Sequence, residues 1–380
     1  MSSEDGKRRK IYTTDTVLFN GLLLVGFDAD RQKRAKRSTN LQRFIDHFGS
    51  RPNVYAQMIA DMQTTDIEEA RVDEKFDLEN FLMGIHFLKI YPRQSEQEST
   101  FKCCKATAKK WAWFYARKIQ AMKRVKVRAL PDFSFPHRRK YHTTNSPLLF
   151  LFIPCMYPGR FLPNPRTYPG RFLRNPRTIR TASQIVWPEK WTPINPGLFD
   201  DTTEIYLVSV DGVHCKTHEF YHPTSSKNPK LYSHKFNQAA LAYEVALSLW
   251  ENKCVHINGP FQASVHDKAI FTDDGVDADG KPKGLQKKMP KGKKAIGDNG
   301  YRGHPGVLST PNTHDAPAVR SFKGRARARQ EAFNARLKVF RCLEDTFRHD
   351  MELHQICFEA VAVICQYQLE NGSPLFEAAV

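Results

Sequence analysis

Acidic residues are in short supply in this chain of 380 residues: 40 Asp and Glu stand against 58 Lys and Arg, a formal charge of +18. A field of that sign draws a protein to polyanions largely independently of their sequence. Long apolar runs are also missing. Those near Leu22 and Leu148 reach about half of the roughly 20 residues that a spanning helix needs, so no membrane role is expected. The eight cysteines form no paired framework and accompany no secretory signal, and reduced thiols in an intracellular compartment are expected.

The basic residues that are present are clustered. Residues 101–140 hold 13 Lys or Arg and a single acid, Asp132, and residues 320–341 hold eight basic residues and a single acid, Glu331. In the N-terminal half, Leu78, Phe81, Leu82, Ile85 and Leu88 recur at steps of three and four and predict an amphipathic helix that ends near Pro92. A short polar segment, Ser95 to Thr100, follows as a turn. A second helix is predicted from Ala106 to Met122, with Trp111, Phe114, Tyr115, Ile119 and Met122 on its apolar side. Lys109, Lys110, Arg117 and Lys118 project elsewhere and are candidate DNA-phosphate contacts of a helix-turn-helix-like module.

Three acids stand in separate local settings. Residues 205–210 form an apolar, β-branched run that ends in Asp-Gly, which predicts a buried strand with Asp211 at its tip. Asp298 follows Ala-Ile-Gly and precedes Asn-Gly, again a strand end running into a turn. Glu331 lies among Phe333, Leu337, Phe340, Leu343 and Phe347, spaced as one face of a helix. Mg²⁺ binds through one or two carboxylates and keeps positions for water and substrate phosphate, and two such ions clamp an in-line displacement. Alone, an Asp-Gly turn or a helix glutamate is ordinary surface chemistry. His214, Cys215, His218 and His222 also have ligand-like spacing, although histidines after a strand more often make supporting contacts.

Taken together, these settings resemble the DDE transposases of the Harbinger type. The carriers are the strand ending Val-Asp-Gly-Val-His214, the Asp298-Asn-Gly-Tyr-Arg302 turn and the helix Arg329-Gln-Glu-Ala-Phe-Asn-Ala-Arg-Leu-Lys338. Tyr232 to Asn237, Ile257 to Pro260 and Ile356 to Gln368 extend the likeness over most of residues 185–380. The resemblance implies an RNase H-like catalytic core with Asp211, Asp298 and Glu331 as catalytic and metal-binding residues, Mg²⁺ or Mn²⁺ as cofactor, and DNA as partner. It further implies cleavage at element ends and joining of 3′ hydroxyls to target DNA. Arg325, Arg327, Arg329 and Lys338, around the glutamate, are then expected to lie along the DNA backbone. A separate DNA-binding partner protein and a homo-oligomer on DNA are further expectations, and the alternative reading is a catalytically silent or domesticated DNA-binding protein.

The expected class is therefore α/β, a mixed-sheet core preceded by an all-α module. The expected organisation is a basic tail at 1–40, a helical DNA-binding domain at 41–126, a Pro/Arg-rich segment at 127–184 and the catalytic domain at 185–380. The third segment holds a tandem repeat, Tyr157 to Thr167 and Tyr168 to Thr178, which differs only at Pro163 against Arg174. Two copies are too few for a solenoid, so an extended linker is expected. A retained intron is the sharper reading. Val127-Arg128 is encodable as a splice donor, Gln184 as an acceptor, and joining Lys126 to Ile185 restores a continuous domain junction. Lys7 to Lys10 and Lys33 to Arg37 are candidate nuclear-import signals, which makes the nucleus the expected location.

Overall fold

The computed structural model describes residues 10–73, 76–127, 205–219, 228–277 and 280–378. Thr13, Asp28 and Asp77 each accept a hydrogen bond from the amide three residues onward, capping three N-terminal helices and ending the extended chain before them. From Thr13 on, the segment expected as a tail is thereby folded: it contains α1 (Thr14–Leu24), α2 (Ala29–Arg34) and the start of α3 (Arg37–Phe48), and Val17 and Leu22 are fully buried. Then come α4 (Pro52–Thr64) and α5 (Leu78–Ile90), the latter closed by Tyr91 in the left-handed region just before Pro92.

The polar stretch expected as a turn is itself a helix, α6 (Gln94–Phe101). The Glu96 carboxylate accepts from the Arg93 amide and Gln97 and Phe101 point inward, which is enough to hold two polar turns. Next are α7 (Lys105–Ala121) and the short α8 (Lys123–Lys126). α7 presents Ala112, Trp113, Tyr115, Ala116 and Ile119 to the interior, whereas Phe114 is 40% exposed; the inward face is rotated from the one that the aromatic spacing predicts. Gly84 makes room for this contact, because a β-carbon there would lie 2.8 Å from that of Tyr115. The Pro/Arg-rich segment and its repeat lie outside the described residues, Val127 excepted, as does the unit Pro131–Trp187.

The second half is built on a mixed sheet. Its strands are β1 (Ile205–Lys216), β2 (Tyr232–Ser233), β3 (Gln238–Ser248) and β4 (Cys254–Gln262), followed by β5 (Lys293–Ile296) and β6 (Leu308–Ser309) after helices α9 (Asp267–Phe271) and α10 (Leu285–Lys288). The order is β2-β3-β1-β5-β6, with β4 paired to β3. β1 is antiparallel to β3 and parallel to β5, so it is hydrogen-bonded along both edges. Chain-terminal helices α11 (Pro317–Lys338), α12 (Arg341–Glu344) and α13 (Met351–Glu370) pack on these elements.

Helix α13 is apolar nearly all round, and a helix of that pattern must be surrounded. α7, α8 and α4 contact it, and so do β4 and α11. One apolar cluster consequently runs from Val17 through Phe81, Ile119, Tyr243 and Phe358 to Leu375. Polar ties reinforce it: Lys123 pairs with Glu359 at 2.6 Å, and Lys126 reaches Asp61 and Glu370 at 3.0 and 2.8 Å. No helix among the described residues is long and apolar enough to cross a membrane. The Phe358 ring stacks on Tyr243 at 3.8 Å. Phe358→Ala is expected to cost about 3–5 kcal/mol in urea unfolding. Single-tryptophan versions retaining Trp113 or Trp250 should report the same transition, and two separated transitions would contradict a shared core.

Candidate active site

The pairing of β1 with β5 brings the first two acids together. Ser209 is level with Ile296 in a parallel pair, and two residues further along each chain stand Asp211 and Asp298. Asp211 is not at a strand tip as its Asp-Gly setting predicts. β1 continues to Lys216 because β3 pairs with it throughout, Asp211 facing Val245 and Gly212 facing Glu244. Asp298 does follow a strand end; its Oδ1 accepts the Gly300 amide at 2.8 Å and caps a 3₁₀ turn, Asn299–Tyr301.

The third element, α11, is fastened to β1 by two amide side chains. Ser209 Oγ donates to Gln330 Oε1 at 2.8 Å, and Gln330 Nε2 donates to the Val245 carbonyl at 3.2 Å. One turn on, Asn334 Nδ2 donates to Asp211 Oδ2 at 2.8 Å, while the Gly212 amide holds Oδ1 at 2.9 Å. Both oxygens of Asp211 are thereby oriented. The result is a cleft of about 290 Å³ lined by Asp211, Asp298 and Glu331, with Lys235, Arg327 and Gln330 beside them. Glu331 is 66% exposed, its carboxylate 3.9 Å from the Arg327 guanidinium.

A further acid, Asp267, was not legible as part of this group. It opens α9, where an aspartate in the first turn reads as an ordinary helix start. Its carboxylate lies against the glycines that follow the other two aspartates. A β-carbon on Gly212 would meet Asp267 Oδ1 at 2.4 Å, and one on Gly300 would meet Oδ2 at 3.0 Å. The sequence trace of this closeness is a glycine beside each aspartate. Across the strand from Gly212, fully buried Glu244 has no well-aligned hydrogen-bond partner for either oxygen among the described residues, although the Tyr301 hydroxyl is near enough to favour its charged form. His256 Nε2 approaches it to 3.3 Å, but the alignment gives neither group a hydrogen bond. Burial, and then the Asp267 charge, drive the Glu244 carboxyl well above the usual range and favour its neutral form.

Crowding raises Asp211 as well, to about 6: burial contributes most, then Asp298, with Asp267 adding and Lys235 opposing. Burial followed by the Asp298 charge raises Asp267. Among the described residues no three His, Cys, Asp or Glu side chains are close enough together to hold a metal ion. The Asp211 and Asp298 carboxylates nevertheless fit a hard cation: both are oxygen donors, they repel each other, and a positive charge between them relieves that repulsion. Glu331 shares the cleft but is turned to Arg327 instead of completing the set. His214 contacts Ser233 at 3.0 Å and Cys215 is buried beside Lys338, while His222 lies outside the described residues.

The expected phosphate contacts divide. Lys109, Lys110 and Arg117 are exposed on α7, and Arg327 lines the cleft. Lys118 instead donates to the Glu68 and Arg71 carbonyls. Arg325 donates to the carbonyls of Glu377 and Ala378. Arg329 is corrected outright: it is 2% exposed and donates to the carbonyls of Ser248, Glu251 and Phe376, so no phosphate reaches it. Lys338 is likewise turned inward, donating to the His214 and Leu343 carbonyls. An Arg-rich helix signals charge to a sequence reader, but here three of the four expected contacts on it, Arg325, Arg329 and Lys338, tie down backbone carbonyls instead.

In the metal-depleted protein the Asp211 carboxyl should titrate near pH 6, followed by site-specific carboxyl ¹³C shifts in EDTA. A carboxyl whose folded pKa is raised favours the folded state at low pH. That contribution is lost as pH rises from the unfolded value, 3.8, through about 6. Asp267→Asn removes one repelling charge and should move the midpoint down; an unmoved midpoint would take Asp267 out of the Asp211 environment.

Residues 210–366 match the family described as DDE superfamily endonuclease. The matched span contains Asp211, Asp298 and Glu331, and with them the whole cleft apart from Ser209. It supports a transposase-like nuclease domain over the sheet and the last three helices. No curated protein and no solved structure matches the chain.

Proposed function

We propose that this chain is a metal-dependent DNA endonuclease of the DDE transposase kind, with motifs that resemble the Harbinger type, which cuts at element ends and joins the freed 3′ hydroxyls to target DNA. The observation that carries the reading is the convergence of Asp211, Asp298 and Glu331, from β1, the turn after β5 and α11, on one cleft. A central strand with an antiparallel β3–β4 extension on one edge and parallel β5 on the other supports an RNase H-like core. The DDE endonuclease match over the same residues supports the chemistry.

Asp211 and Asp298 are the residues that would hold Mg²⁺ or Mn²⁺, with Glu331 joining them from the helix. When bound, the cation supplies Lewis-acid stabilisation of the charge that develops at phosphorus. The protein's own contribution is orientation. Asn334 and the Gly212 amide fix the two oxygens of Asp211, and Gln330 fixes the distance of α11 from β1. Arg327 and Lys235 at the cleft supply positive charge for the phosphates that flank the scissile bond. At neutral pH Asp211 is ionised and able to accept a cation; below about 6 it is protonated, and the site loses that donor. Exposed Lys109, Lys110 and Arg117 extend the DNA contact on the helical side. Assembly on DNA as a homo-oligomer, recruitment by a separate DNA-binding protein and action in the nucleus belong to the same proposal.

Asp211→Ala or Asp298→Ala should abolish Mg²⁺-dependent nicking of duplex DNA while leaving binding of the same duplex intact. Asn334→Ala, which only frees Asp211, should reduce nicking by about 10–100-fold. Undiminished nicking by either aspartate variant would remove that residue from the mechanism.

A further inference from the structure

A second cavity, sharing no residue with the acidic cleft, opens where α5 ends and α6 and α7 begin. It measures about 390 Å³, within the roughly 300–1,000 Å³ of ordinary ligand sites. Arg93, Lys105, Lys109 and Arg348 line it, and none of its lining residues is acidic. Lys105 and Lys109 are one turn apart and share a face of α7. Carboxylates stand around the cavity: Glu98 lies 3.7 Å from the Lys105 ammonium in an exposed pair, which neutralises little, Glu96 accepts the Arg93 amide at 2.8 Å, and the Asp350 charge acts on His349. Arg348 is fixed in place: it donates to the Tyr91 and Pro92 carbonyls and lies 4.5 Å over the Tyr91 ring.

One wall of the cavity is aromatic. Trp113 meets Phe87 at 5.1 Å and His349 at 5.2 Å, both edge to face, so the three rings hold one another in place. His349 is depressed first by burial, then by the Arg348 and Lys109 charges, with Asp350 opposing them. The lining combines cations, aromatic rings and the polar side chains of Gln94 and Ser95, groups that suit the phosphate, the base face and the base edge of a nucleotide. The space suits one nucleotide and is too small for a duplex, whose major groove alone is about 12 Å wide.

We propose that this cavity is a second nucleic-acid site, which takes one unpaired nucleotide of a DNA strand, its phosphate on Arg93, Lys105, Lys109 and Arg348 and its base against the Trp113–His349 wall. The proposal rests on the reading that DNA is the substrate, but not on cleavage. A strand end separated during cutting would be held there, away from the acidic cleft.

The test is binding of fluorescent single-stranded (dT)8 to the full-length protein in EDTA, with thymidine 5′-monophosphate, thymidine and inorganic phosphate as competitors. The monophosphate should compete and thymidine should not. Lys105→Ala/Lys109→Ala should weaken (dT)8 by about tenfold or more, as expected for loss of charge-assisted contacts. Lys105→Arg/Lys109→Arg should restore binding, which separates loss of charge from loss of fold. Wild-type affinity in the double alanine variant would overturn the proposal. So would inorganic phosphate competing as well as the monophosphate, a plain anion site, or the monophosphate binding while (dT)8 does not, a free-nucleotide site. If the wild type never nicks DNA yet this pattern holds, the nuclease reading fails and the nucleotide site stands.

Discussion

Carboxylates packed around the middle of a central strand are the constraint on which the rest of this structure depends. Asp267 sits in the space that side chains on Gly212 and Gly300 would fill, and its charge reaches Asp211. Such crowding is costly unless a cation offsets it or a proton neutralises one member. Burial pushes Glu244 toward its neutral form, and Asp211 sits near the pH at which it can change state. The amide side chains of Gln330 and Asn334 keep α11 against this strained patch, so the helix that carries Glu331 cannot drift from the strand that carries Asp211.

Much of the site was legible in the residues themselves. β-branched runs ending in Asp-Gly and Gly-Asp-Asn-Gly, and apolar residues at helical spacing around Glu331, placed three acids on two strands and a helix without reference to any relative. What local pattern could not give was distance across the fold. Asp267 is ordinary in sequence and becomes part of the site only because the β3–β4 pair turns the chain back beneath Gly212. Arg329 reads as a DNA contact in an Arg-rich helix, yet three carbonyls claim it. The extent of β1 past Asp211 was hidden for a similar reason, since β3 supplies the hydrogen bonds that a turn-forming Asp-Gly would otherwise forgo.

The helical half shows the same limit. Its helices were legible from period, and Tyr115, Ile119 and Met122 of the expected stripe on α7 are buried, but the choice of Trp113 over Phe114 for the inward face was not legible. The choice is made by Gly84 on α5, which admits Tyr115, and by α13, which runs through the shared core. That helix also links the two chemistries of the molecule: it packs against the basic α7 on one side and against β4 and α11 on the other. A rigid spacing between an acidic cleft and a basic, ring-walled cavity follows from its burial.

The central proposal, that Asp211 and Asp298 hold a cation which Glu331 joins from α11 when it binds, is tested most directly by loading the protein with Fe²⁺ in place of Mg²⁺ and mapping where ascorbate and peroxide cut the polypeptide. The account predicts cuts clustered near positions 211, 298 and 331, suppressed by excess Mg²⁺ and absent in Asp211→Ala. Diffuse cutting, or a pattern indifferent to Mg²⁺ and to that substitution, would contradict it.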